Sequence, residues 1–76
     1  MEENNTSRKK ITLDEILLMQ MNNELNAKYQ WNKLCKNYIL SEDIVEKYKN
    51  KINWFYIFKY QKLSESFIEK HKQFLN

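Results

Sequence analysis

Apolar residues recur along this chain at helical spacing. Leu13, Ile16, Leu17, Met21 and Leu25 follow one another at three- and four-residue steps, the signature of one apolar helical stripe. The stripe opens at Thr12-Leu13-Asp14-Glu15, which fits a capping box: the threonine hydroxyl accepts from the backbone three residues on, and the glutamate reaches back. Glu24, Lys28 and Asn32 would fall on the same stripe, so a corner is predicted between Asn26 and Gln30. Trp31, Leu34, Cys35 and Tyr38 then mark a second helix. The predicted helices cover about 13–26, 31–39, 42–50, 54–61 and 65–74, with no strands. Residues 1–11 are polar and are expected to form a mobile tail, leaving 12–76 as a single helical domain.

Laid on itself with an offset of 23, the chain matches. Residues 40–53 (LSEDIVEKYKNKIN) fall on 63–76 (LSESFIEKHKQFLN) with seven identities in fourteen positions. Further back, Trp31 meets Trp54, Lys36 meets Lys59, Leu40 meets Leu63 and Leu34 meets Ile57. The predicted fold class is therefore all-α, about five short helices on a degenerate 23-residue helix-turn-helix repeat with units near 17–39, 40–62 and 63–76. Ser41, Asn53 and Ser64 are natural N-caps, and Glu42 and Glu65 suit the positive end of a first turn. One unit cannot bury its own apolar face, so neighbouring units are expected to stack. The apolar end at Phe74 and Leu75 would then be covered by the first helix or by another chain, the basis for a homodimer through an exposed repeat end.

Composition sharpens this picture. There is no glycine and no proline, so tight hairpins lack their usual residues and helices joined by Asn- and Ser-bearing corners are favoured. Hydrophobic residues make up 42% and aromatic residues 14%, enough for a packed core. A chain of 76 residues buries only about 60% of the surface its unfolded form exposes, which makes help from a partner or a second copy physically reasonable. The single cysteine, the polar start and the absence of a long apolar run lead to the expectation of a cytosolic protein with no membrane contact.

Charge is uneven. Residues 1–46 hold six basic and eight acidic groups, and residues 47–76 hold seven basic and two acidic, so the C-terminal part is near +5. Twelve of the thirteen cations are lysine, a bias that also fits an AT-rich genome.

The run from Trp54 to Lys70, W-x-x-I-x-x-Y-Q-x-L-S-E-x-F-I-E-K, resembles short tandem repeats found in uncharacterised proteins of bacteriophages and large DNA viruses. The likeness covers about half the chain. The preceding unit departs from it, with Asn37-Tyr38 where the motif has Tyr60-Gln61, and Leu17 is not followed by Ser-Glu. The resemblance implies a viral or phage accessory protein that acts on a host system, and it carries no established chemistry.

Chemistry-bearing residues are few. Cys35 stands opposite Phe58 in the repeat, and the only histidine, His71, stands opposite Tyr48, so both read as packing positions. Paired carboxylates such as Glu42-Asp43 and Glu65 with Glu69 read as helix-start charges. Accordingly neither enzymatic activity nor a metal or cofactor is expected. Phe55, Tyr56 and Tyr60 stand opposite the polar Asn32, Lys33 and Asn37, which points to exposed aromatics; with Lys59 and Lys62 they form the candidate partner-binding surface. The expected partner is a host protein or nucleoprotein complex, blocked by occupation, with an antiviral CRISPR-type nuclease complex as one target. The alternative is nucleic-acid binding, in which Lys47, Lys49, Lys51, Lys70 and Lys72 follow phosphates while rings stack on bases. Base readout favours arginine, present only as Arg8, and no zinc finger, RNA-recognition signature or glycine-rich phosphate loop occurs.

Overall fold

The computed structural model describes residues 8–74. In chain order the elements are β1 (Lys9–Lys10), α1 (Leu13–Met21), α2 (Lys28–Asn37), β2 (Tyr38–Ile39), α3 (Glu42–Lys47), α4 (Trp54–Tyr60) and α5 (Glu65–Lys70), followed by a 3-10 turn at Lys72–Phe74. The protein is mostly helical.

The capping box of α1 forms as its residues predict: Glu15 N donates to Thr12 Oγ1 at 3.1 Å, and Thr12 N donates to Glu15 Oε1 at 2.9 Å. Ser41, Asn53 and Ser64 cap α3, α4 and α5 through side-chain oxygens. The first helix ends at Met21, five residues short of expectation. Asn23, at φ 61°, takes the left-handed conformation that a glycine-free chain must give to asparagine. Its N–H donates to Gln20 O and that of Glu24 to Met19 O, a Schellman closure that stops the helix. The next helix starts three residues before Trp31, because Gln30 Oε1 accepts from Asn26 N and Ala27 N where Ala27 offers no capping oxygen.

Two expectations fail at the N-terminus. Strands are present: Lys9 and Lys10 pair in parallel with Tyr38 and Ile39, and Ile11 N donates to Ile39 O at 3.1 Å. Residues 8–11 are consequently tied into the domain, and residues 1–7 of the expected tail lie outside the described residues. The cause is Ile11, which is buried and draws the polar residues before it along the edge of β2. Arg8 adds a second tie, donating to Lys36 O at 3.3 Å and Tyr60 O at 2.8 Å. A guanidinium on last-turn carbonyls of α2 and α4 sits where both helix dipoles favour a cation.

The core joins Ile16, Leu25, Trp31, Leu34 and Cys35 to Leu40, Ile44, Val45, Tyr48, Trp54, Ile57 and Phe67. Val45, Cys35, Ile16 and Ile57 are fully enclosed. Of the stripe read along α1, Ile16 faces this core, whereas Leu13, Leu17 and Met21 face outward. Among the described residues no helix is long and apolar enough to cross a membrane.

Candidate functional site

α4 carries the sequence WFYIFKY, in which every residue but one is apolar or aromatic. So many large side chains cannot all turn inward on a two-turn helix. Trp54 and Ile57 take the core, and Phe55 is left 67% exposed. Its ring meets Tyr56 edge-on at 6.0 Å, and Tyr56 in turn lies 5.8 Å from Tyr60. Lys59 Nζ lies 5.7 Å from the centre of the Phe55 ring and 5.4 Å from that of Tyr60, so the ammonium is held between two rings by cation–π attraction. The result is a basic aromatic ridge along one side of α4. Lys62 is exposed two residues past its end.

One correction applies to the ridge. Tyr56 and Tyr60 were expected in solvent like their counterparts Lys33 and Asn37, yet both are half-buried, and Tyr56 packs on the core. A tyrosine ring has more apolar surface than an asparagine, and α4 turns it partly inward. Phe55 is therefore the ridge's free ring.

The lysines of the alternative reading are exposed but divided. Lys49 and Lys70 both reach Glu46, at 3.3 and 3.7 Å, and Lys72 lies 2.9 Å from Glu69. Lys47 lies over the Tyr48 ring at 5.8 Å. Lys51 has no ion-pair partner among the described residues. Three of the five candidate phosphate contacts thus already face a carboxylate.

The polar groups inside the protein are structural in form. Cys35 is enclosed, and burial pushes its thiol up to about 11, far from a thiolate nucleophile. His71 is buried against Trp54, ring centres 4.9 Å apart, with Nε2 2.7 Å from Glu46 Oε1. That bond is the main reason the Glu46 carboxyl sits below its ordinary range; Lys49 and Lys70 add to it. Among the described residues no group of three or more His, Cys, Asp or Glu could hold a metal ion.

Two polar residues matter more than their sequence suggests. Gln61 is buried at the end of α4; its Oε1 accepts from Leu40 N at 2.8 Å, and its Nε2 donates to Cys35 O at 2.7 Å and Tyr38 O at 2.8 Å. It closes the corner between α2 and α3 from across the fold. Glu42 does the same for α5, accepting from Ser64 N at 2.6 Å and Ser64 Oγ at 3.2 Å. A clue existed for Gln61 alone, since it interrupts an apolar stretch at the place where Tyr38 stands in the preceding unit.

Comparison with family models, curated proteins and solved structures finds no match to this chain.

Proposed function

We propose that this protein is a small protein-binding module that works by occupying a site on its partner, with the ridge of α4 as the contact surface. The carrying observation is Phe55, a large ring left 67% exposed beside Lys59 and two half-buried tyrosines. Interface energy concentrates on a few aromatic anchors, and Phe55, flanked by the half-buried Tyr56 and Tyr60, offers one at the surface. Nucleic-acid binding is the weaker reading, because Glu46 and Glu69 neutralise lysines that would otherwise follow a phosphate backbone.

The source and target follow from the viral and phage resemblance: an accessory protein of the host cytosol whose partner is a host protein or nucleoprotein, including a CRISPR-type nuclease complex. Three features support reading the fold as the repeat which that resemblance implies. Ser41 and Ser64 share backbone angles, φ −72° and ψ 160° against φ −71° and ψ 158°. Each tryptophan indole donates at 3.1 Å to a carbonyl five or six residues upstream, Trp31 to Leu25 and Trp54 to Lys49. Tyr48 and His71 end their helices alike, and each bonds the helix two before its own, at Gln20 of α1 and Glu46 of α3. On this reading α1 is the first helix of the first unit, capped at Thr12. The cap stands nineteen residues before Trp31, where Ser41 stands thirteen before Trp54, and the longer corner hides α1 from a fixed offset.

The test uses the tagged full chain as bait in host-cell lysate, beside its Phe55→Ser and Lys59→Glu variants. Stoichiometric capture by the wild type and loss by both variants is the expected result. No captured partner, or one held equally by all three, would overturn the assignment. Retention of a generic oligonucleotide at physiological salt, unchanged in both variants, would favour the nucleic-acid alternative instead.

A further inference from the structure

Among the described residues two apolar surfaces stand exposed, one beside the Asp14 carboxylate and the other beside Lys59 and Lys62. Along α1, Leu13, Leu17, Leu18 and Met21 are 37%, 42%, 56% and 78% exposed. The helix itself holds two carboxylates and no base; Glu15 pairs with Lys9 at 3.9 Å, which leaves Asp14 as the unpaired charge beside the strip among the described residues. The ridge of α4 holds Phe55, Tyr56 and Tyr60 with Lys59, has Lys62 just beyond it, and contains no acid. Asp14, Lys59 and Lys62 form no ion pair among the described residues. Scattered surface leucines are ordinary, but four large apolar side chains on one nine-residue helix form a strip.

We propose that α1 of one copy docks on the α4 ridge of a second copy, and that each copy offers both halves, so two reciprocal seams close a dimer. The proposal rests on the reading of α4 as a contact surface and names its occupant as another molecule of this chain. Charge decides the pairing. Glu15 is already engaged by Thr12 and by Lys9 at 3.9 Å, so two α1 helices face to face would oppose the two Asp14 carboxylates, and two ridges would oppose Lys59 and Lys62 to their own kind. Only the crossed arrangement sets carboxylate against ammonium while joining apolar strip to apolar ring. The lengths also suit: at about 1.5 Å per residue α1 runs about 13 Å and α4 about 10 Å. Seams this short bury little area each, so the dimer is weak and reversible. A foreign partner of the ridge would compete with it, which makes self-association a resting state.

Purified full-length protein is followed by light scattering and sedimentation across a concentration series, with urea midpoints confirming that each variant folds. The expected result is a monomer–dimer equilibrium weakened by salt. Asp14→Lys alone and Lys59→Glu alone each raise the dissociation constant by about tenfold or more, since each opposes like charges in both seams. Mixing the two variants restores the dimer, because in one seam the two substituted side chains meet as a pair of reversed sign, and in the other the native Asp14 meets the native Lys59. A wild type that stays monomeric throughout overturns the proposal, as does a dimer indifferent to both reversals or one that mixing fails to restore. Capture from lysate is scored separately: a pure monomer that still captures a partner through Phe55 removes the self-association and leaves the binding reading intact.

Discussion

Trp31, the fourth residue of α2, and Trp54, the first of α4, each place the indole N–H on an upstream carbonyl, and each is almost fully covered. Their surroundings differ. Trp31 has one ring beside it, Tyr48 at 5.1 Å. Trp54 is ringed by Phe58, Phe67, His71 and Phe74, the last nearly parallel at 4.7 Å. The N-terminal part of the chain adds α1 and the β1–β2 pair to α2, whereas the part after α4 has only α5 and a 3-10 turn. Rings supply the area that missing elements would have supplied, since an aromatic side chain buries more surface per residue than an aliphatic one. The comparison also bears on the expected open end of the repeat. Phe74 folds back on Trp54 and partly closes it, while Leu75 lies outside the described residues.

Removing either anchor is the largest perturbation available. Trp54→Ala and Trp31→Ala should each cost about 3–5 kcal/mol. That is much of the total for a domain of this size, about 4–11 kcal/mol at typical per-residue values. Urea midpoints read the loss, and a Trp54→Ala protein as stable as wild type would show that the ring cluster is ornament. Phenylalanine sharpens the contrast. Trp31→Phe strands the Leu25 carbonyl in a buried site, whereas Lys49 O lies nearer solvent, so Trp31→Phe should cost about 1 kcal/mol more than Trp54→Phe.

Gln61 comes next, because it joins the two sides. Gln61→Leu keeps the volume and leaves Leu40 N–H, Cys35 O and Tyr38 O without their partner. Unpaired buried groups cost about 1–3 kcal/mol each and can find water in part, so the expected loss is about 2–4 kcal/mol. Faster hydrogen exchange at the Leu40 amide would locate the damage. Unchanged exchange there would mean that the corner holds without the side chain.

A smaller effect separates the two sides by pH. Tyr48 donates to neutral Gln20, and its counterpart His71 bonds the Glu46 carboxylate. Because Glu46 is held below its ordinary value of 4.5, the unfolded chain takes up a proton at higher pH than the folded one. Its contribution is full above that value and is lost as pH falls through it toward the folded pKa. Burial raises the Tyr48 hydroxyl above its ordinary 10.0, so its contribution is present below that value and lost as pH rises through the folded pKa. Thermal midpoints across pH should therefore lose part of their acid limb in Glu46→Gln and part of their alkaline limb in Tyr48→Phe. The capping carboxylate of Glu15, also lowered, keeps some acid sensitivity in both variants. Equal flattening of both limbs by one substitution would contradict the separation.

Local signals were legible in the sequence where the chemistry was local. Thr12 with Glu15, and Ser41, Asn53 and Ser64, announce their helices because a cap needs only residues two or three apart. The burial of both tryptophans and of Cys35 followed from recurrence at one spacing. What escaped was long-range. Lys9 and Lys10 read as tail because no neighbouring segment pairs with their backbone; the strand that does is β2, far along the chain at Tyr38–Ile39. Arg8 and Gln61 serve carbonyls made available by the packing of α2 against α4, which no window of sequence contains. The outward turn of Leu13, Leu17 and Met21 was equally hidden, since an apolar stripe says which residues share a face and not which face finds the core.

The ridge itself supplies the finest distinction between the two sides. Phe55 and Asn32 are counterparts, yet one is an exposed ring and the other a half-buried amide, so Phe55→Asn makes the second side resemble the first at a single surface position. Phe55 adds little to the core, and its contacts are Tyr56 edge-on and Lys59 in solvent. A surface substitution of that kind should move stability by no more than about 0.5 kcal/mol, well below the effect at Trp54 one residue earlier. Urea unfolding checks this directly. A loss of several kcal/mol would place Phe55 among the structural rings and withdraw the reason for reading the ridge as a surface kept for a partner. An unchanged midpoint, together with altered self-association or capture, would divide the aromatic residues of α4 into one set that holds the fold and one that faces outward to bind.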